Sequence, residues 1–287
     1  MNHAESETLL PFGVPFESAL RAPIHWRHID FISDLHLQAS EPATFESWRN
    51  FMLSTSADAV FILGDLFEVW VGDDIVDTRL PPQDSAQGFE ARCGQVLQQA
   101  SQRLSVYFIH GNRDFLLGSA FAKACGITLL SDPTVLDFGN ERWLLSHGDA
   151  LCLADTDYLT FRELVRSPKW QSDFLSQTLA QRQATARALR TQSEHLKQGV
   201  TSYADLDAQA CCEWLHGAHA TTLIHGHTHK PADHDLPYGL KRITLSDWDA
   251  AASPPRAEVL RLTAHPPGSS GRAECSVKRI PAHQIRA

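Results

Sequence analysis

Seven residues in five short clusters carry the chemistry this sequence offers: Asp34 and His36, Asp65, Asn112, His147, and His227 with His229. Side chains of extended chain repeat every second residue, so Asp34 shares a face with His36, and His225 with His227 and His229. Two carboxylates, one amide oxygen and four imidazoles exceed what a single ion with an open position takes. They suit two divalent ions that share a bridging carboxylate. Nitrogen and oxygen donors without a thiolate favour manganese, iron or zinc over magnesium or calcium. Two divalent ions against two carboxylates leave the centre cationic, even with one hydroxide bound, and therefore attractive to a phosphate. Such a centre lowers the pKa of bound water and clamps the oxygens of an in-line displacement at phosphorus. Arg113, next to Asn112, would neutralise charge growing on the phosphoryl oxygens.

Each cluster lies just past the carboxyl end of an apolar run: residues 28–32, 59–63, 104–109, 143–145 and the run that begins at Thr221. Open α/β sheets place their ligands at such strand ends. Between the first two runs, residues 41–56 carry Phe45, Trp48, Met52 and Leu53 at helical intervals behind Pro42. Residues 86–104 do the same with Phe89, Cys93, Val96, Leu97 and Ala100. Alternation of strand and helix predicts right-handed crossovers and neighbouring parallel strands. The pattern changes after Leu151, where no strand signal occurs until about Cys212 and helices fit 158–166, 172–197 and 203–214. Here Arg162, Arg166, Lys169, Arg182, Arg187, Arg190 and Lys197 interleave with Phe161, Leu164, Val165, Trp170, Phe174, Leu175 and Leu179. The segment reads as a helical subdomain with a solvated basic face. It also reads as a lid facing anionic lipid or an acyl chain. Runs at 241–245, 257–262 and 274–280 look like closing strands, and residues 1–26, with three prolines and no period, read as an extension lying on the domain or disordered.

Bulk properties set the class. With 43% hydrophobic and 21% charged residues the chain builds a core, and 287 residues allow one large domain or one with an insertion. A formal charge of −9 opposes a nucleic-acid footprint. Six cysteines without a CxxC pair read as reduced thiols of a cytoplasmic protein. No apolar run has spanning length and the first residues are polar and acidic, so membrane contact is expected to be peripheral.

Taken together and in order, Asp34-Leu35-His36, Gly64-Asp65, Gly111-Asn112-Arg113-Asp114, His147-Gly148-Asp149 and Gly226-His227-Thr228-His229 resemble the signature of the calcineurin-like metallophosphoesterases. Most of that family carry His after the Asn. Arg113 in its place resembles one branch, the UDP-2,3-diacylglucosamine diphosphatases of the lipid A pathway, as do the stretches 64–74, 107–118, 147–152 and 223–231. The resemblance covers about 29–248, is weak across the insertion and absent at both termini.

It implies an α/β fold, a two-sheet β-sandwich core flanked by helices, with an N-terminal extension at 1–26, a metallophosphoesterase domain at 27–287 and a helical lid at about 151–214. It implies that Asp34, His36, Asp65 and His229 hold one ion and Asp65, Asn112, His147 and His227 the other, with Asp65 bridging and manganese the expected metal. Metal-activated hydroxide would attack the α-phosphorus of UDP-2,3-diacylglucosamine, releasing UMP and 2,3-diacylglucosamine 1-phosphate, with Asn112 and Arg113 at the catalytic centre. Asn112, Arg113, Asp155 and Tyr158 would contact substrate, with Ser193 and Lys197 reaching it from the lid, while a further basic position of the family falls on Val200. The enzyme would sit peripherally on the cytoplasmic face of the inner membrane. A phosphoesterase acting on another nucleotide or phosphoester keeps the same ligands without needing a lipid-facing lid, whereas the intact ligand set opposes a non-catalytic scaffold. Of the neighbours, His225 reads as a structural histidine supporting the ligands, His110 as packed, Asp114 and Asp149 as orienters, and Asp73 and Asp74 as a solvated turn in preference to substrate contacts.

Overall fold

The apolar runs that precede the ligand clusters are strands buried on both faces, which is why they read as continuous and not alternating. A computed structural model describes residues 19–76, 87–197, 205–265 and 275–285. Its strands are β1 (Ala19–Arg21), β2 (His28–Ile32), β3 (Ala59–Leu63), β4 (Ser105–Ile109), β5 (Thr128–Leu130), β6 (Thr134–Phe138), β7 (Glu141–Ser146), β8 (Thr222–His225), β9 (Ala232–Asp235), β10 (Lys241–Thr244), β11 (Glu258–Ala264) and β12 (Cys275–Pro281). Its helices are α1 (Pro42–Ser54), α2 (Gln87–Ser101), α3 (Ser119–Cys125), α4 (Thr156–Arg166), α5 (Pro168–Leu175), α6 (Leu179–Lys197) and α7 (Ala208–Gly217).

Two six-stranded sheets pack face to face, one in the order β12-β11-β2-β3-β4-β5 and the other β1-β6-β7-β8-β10-β9. In the first, β2 to β5 are parallel, as the strand and helix alternation predicts, and β11 and β12 close the edge antiparallel. The two-residue period of a strand divides the core. Phe31, Phe61, Leu63 and Ile109 point to the second sheet and meet Leu136, Trp143, Leu145 and Ile224. Ile32, Val60 and Ile62 point the other way, onto Phe45, Trp48 and Met52 of α1 and Cys93 and Leu97 of α2. Across the far face of the second sheet, Cys211, Trp214 and Leu215 of α7 cover Val135, Leu144 and Leu223. That helix therefore belongs to the layer flanking the sandwich, whereas Phe174 of α5 joins the core cluster on the outer face of the first sheet.

Three differences from the sequence reading have physical causes. Part of the expected extension is β1, which pairs with β6 (Leu20 opposite Leu136), so a three-residue edge strand is held by its partner and leaves no period in the sequence. The helix expected over 172–197 is two helices. Ser167 caps α5 by accepting from the Trp170 amide, with Pro168 in the first turn. Thr178 and Gln181 then form a reciprocal capping box that starts α6, the Gln181 side chain accepting from the Thr178 amide at 3.0 Å and the Thr178 hydroxyl from the Gln181 amide at 3.3 Å. Asp73 is no solvated turn: its carboxylate accepts from the amides of Gly118 and Phe121 at the start of α3 and from the Trp70 indole.

The return from the helical segment is anchored by Asp205, which holds the buried Arg242 of β10 in a two-point contact of 2.7 and 3.0 Å. That hydrogen bond lowers the Asp205 pKa to about 2. A depressed carboxylate contributes stability that is complete above its unfolded value and is lost as pH falls through the folded one. Asp205→Asn is expected to cost about 1 kcal/mol at neutral pH, the figure being reduced for solvent screening of a half-exposed group. Thermal midpoints of wild type and variant should differ by a constant amount down to about pH 4 and converge below it; a gap that persists on further acidification contradicts the assignment.

Candidate metal centre

Register brings the ligands together. Ile32 lies opposite Ile62 and Leu63 opposite Ile109, so the loops carrying Asp34, Asp65 and Asn112 leave adjacent strand ends at one level. In the facing sheet Ser146 lies opposite His225, which places the loops of His147 and His227 side by side. The turns are tight: Asp34, His36, Asp65, His227 and His229 all have left-handed φ, between 47° and 68°, a conformation that costs non-glycine residues and concentrates at functional sites. Backbone bonds hold them there. The amides of Asp34 and His36 donate to the carbonyls of Gly64 and Asp65, and the Gly226 amide donates to the His147 carbonyl. Asp114 pins two loops at once, accepting from the amides of Leu66 at 2.7 Å and Gly111 at 2.9 Å. Burial and the Asp65 charge push its pKa up to about 7.

Two donor groups result. His36 Nε2 lies 3.2 Å from His229 Nε2, which lies 3.2 Å from Asp34 Oδ1. On the other side Asn112 Oδ1 is 3.0 Å from His147 Nε2 and 2.9 Å from His227 Nδ1. Asp65 stands between them, with Oδ2 3.9 Å from His36 Nε2 and Oδ1 3.8 Å from His147 Nε2. One carboxylate thus turns an oxygen toward each group. Asp34, Asp65 and Asp114 are buried, and no described Lys or Arg pairs with Asp34 or Asp65. Buried carboxylates without counter-charge are costly unless a cation joins them. The electrostatics of the neighbours report the same pull. Burial opposes the charge on His147, yet Asp65, Asp34 and Asp149 raise its pKa to about 9. Burial also acts against Asp34, but the His229 hydrogen bond and nearby imidazoles hold its carboxyl below the usual range. Donor chemistry and charge both fit two divalent cations.

Around the centre, His225 is fully buried, with Nε2 3.1 Å from the Thr244 hydroxyl and Nδ1 facing the Gly226 carbonyl. Burial holds its pKa near 3, as befits a structural imidazole. His110 likewise packs on the Leu117 carbonyl. Arg113 donates its amide to Asp65 Oδ1 at 2.8 Å, and its guanidinium faces Glu68 at 3.4 Å. The buried Arg113 Nε has no hydrogen-bond partner among the described residues. The Tyr158 hydroxyl donates to Asp149 at 2.5 Å while its ring stacks over His227. Asp155 caps α4 by accepting from the Tyr158 amide.

The basic residues of the helical segment do not form one solvated face. Arg162 and Arg166 turn inward to the buried Asp149, Arg166 also donating to the Gly111 carbonyl beside Asn112. Arg182 is buried on Asp74, and Arg190 meets Glu68. Among the large apolar residues of this segment, Phe161, Leu164 and Leu175 are exposed. Helical periodicity could not separate these cases, because the acidic partners lie far away in sequence. Ser193 and Lys197 fall within the bounds of α6, and Val200 lies outside the described residues.

The sequence matches the family described as calcineurin-like phosphoesterase over residues 27–231. The chain belongs to that family. Among similar calcineurin-like phosphoesterases, the UDP-2,3-diacylglucosamine hydrolase of Aromatoleum aromaticum is 44% identical over 224 residues, covering 76% of this chain and 88% of that protein. The protein of the same name from Chromobacterium violaceum is 43% identical over 229 residues, covering 77% and 90%, and that of Cellvibrio japonicus 40% identical over 224 residues, covering 76% and 90%. Membership of this phosphoesterase family implies divalent metal ions, in agreement with the clustered donor groups. No helix among the described residues is long and apolar enough to cross a membrane.

Proposed function

We propose that this chain hydrolyses the pyrophosphate bond of UDP-2,3-diacylglucosamine at the α-phosphorus, giving UMP and 2,3-diacylglucosamine 1-phosphate in the lipid A pathway. The observation that carries this reading is Arg113, standing where most of the family has His and seated on Asp65 with a buried, unpartnered Nε–H. The names of relatives 40–44% identical over most of their length support the substrate.

In this reading Asp34, His36, Asp65 and His229 hold one ion, and Asp65, Asn112, His147 and His227 the other, with manganese the proposed metal. When bound, the ions lower the pKa of water and polarise the phosphoryl oxygens. Arg113 binds a non-bridging phosphoryl oxygen through a charge-assisted hydrogen bond and stabilises charge that grows as the P–O bond breaks. Asn112 and Tyr158 border the same face, and Asp155, Ser193 and Lys197 are proposed contacts to the head group. Exposed Phe161, Leu164 and Leu175 serve the acyl chains, at the cytoplasmic face of the inner membrane. We take the chain as one metallophosphoesterase domain whose second sheet already includes β1, with α4 to α6 as its lid.

The test is release of UMP from UDP-2,3-diacylglucosamine by the purified chain with manganese, alongside a chelated control. Chelator-sensitive release is expected, and faster turnover of acylated than of deacylated UDP-glucosamine. Equal rates on the two would remove the lipid-facing role of the lid. Hydrolysis of a generic phosphodiester without UMP release would keep the metal centre and point to another phosphoester substrate.

A further inference from the structure

We infer that Glu68 is a positioning residue that ties the ligand His36 to Arg113 and to the lid helix α6. It lies on the loop after β3, three residues past Asp65, and its side chain is only 9% exposed. Three groups from three different elements converge on it. His36 Nδ1, from the end of β2, lies 3.0 Å from Oε2. Arg113 Nη1, from the end of β4, lies 3.4 Å from Oε1, and Arg190 Nη1, from α6, contacts the same oxygen. The approach to His36 falls short of an aligned hydrogen bond, and His36 Nδ1 is buried with no hydrogen-bond partner among the described residues.

The chemistry follows from the two ends of the imidazole. A neutral ring carries one proton, and a carboxylate beside Nδ1 favours it there. Nε2, which faces His229 and Asp65, then keeps its lone pair for a cation. Outer carboxylates of this kind set the orientation and basicity of ligating histidines. The second consequence is electrostatic. Two guanidiniums beside a dication pair repel both each other and the ions, and a buried charge left unpaired is expensive. Glu68 supplies the negative charge that lets Arg113 and Arg190 approach a cationic centre, and through Arg190 it couples the seating of α6 to the metal ligands.

This inference rests on the metal reading of the cluster and not on the identity of the substrate, so the experiment uses manganese alone. The full chain and its Glu68→Gln and Glu68→Asp variants are titrated with manganese by calorimetry, with circular dichroism melts to check folding. Glu68→Gln is expected to weaken one of two sites on the order of 10-fold and leave the other unchanged. Glu68→Asp, which keeps the charge on a shorter arm, is expected to lose less. Unchanged affinity at both sites, or equal losses in the two variants, overturns the proposal, the second outcome reducing Glu68 to packing. Absence of UMP release by a wild-type chain that binds two ions counts against the substrate and leaves this result standing.

Discussion

Asp65→Ala is expected to lower turnover on the order of 10³-fold, about 4 kcal/mol of transition-state stabilisation, while the chain still folds. The size follows from position. Asp65 turns an oxygen toward each donor group, 3.9 Å from His36 and 3.8 Å from His147, so its loss is expected to disturb both proposed ions. Folding should survive because Asp65 is crowded by like charge: its carboxylate raises the Asp114 pKa, and removing it relieves that repulsion. Two melting measurements separate the effects. Without metal, the variant should melt no lower than wild type. Manganese should raise the wild-type midpoint, since a ligand that binds only the folded state stabilises it, and should raise that of the variant far less. Near-normal turnover would sink the bridging assignment, and an unfolded variant would place Asp65 in the fold instead.

Gly111→Ala carries the second large effect, although Gly111 holds no ligand atom. A Cβ there would lie well inside contact distance of Asp65 Oδ1 and of the Asp65 amide. The Asp65 side chain cannot retreat freely, because Oδ1 also accepts from the Arg113 amide and the Gly111 amide is itself held by Asp114. The bridge must therefore shift by a good fraction of an ångström, and displacements near 1 Å cost about 10²-fold in rate. Overpacking should add about 1–3 kcal/mol of instability. Turnover and manganese affinity are expected to fall together; a variant with normal kinetics would show that the close approach of these two loops is dispensable.

The seven candidate ligands were legible because each stands just past an apolar run; the extended-chain spacing was a poorer guide, since Asp34, His36, His227 and His229 sit in left-handed turns and His225 turns into the core. Asp114 and His225 were legible as supports, and the structure bears this out through backbone bonds to four amides and through complete burial. The break between α5 and α6 was also written in the sequence, as Ser167-Pro168 and the Thr178 to Gln181 box, but the apolar period running through it concealed the caps.

What the sequence by itself determined is local: which residue types follow which strand, and hence the ligand chemistry and the parallel order of β2, β3 and β4. Only the tertiary structure decided the long-range pairings. Which arginines face inward depends on Asp149, Asp74 and Glu68. Whether Ala19–Arg21 is a strand depends on the edge offered by β6. Whether residues 208–217 join the sandwich depends on the apolar sheet face that α7 packs against. The reason is common to all three. Periodicity reports that a side chain has a buried or a charged neighbour, whereas the identity of that neighbour is set by strand register and sheet packing, between residues as far apart in the chain as Glu68 and Arg190.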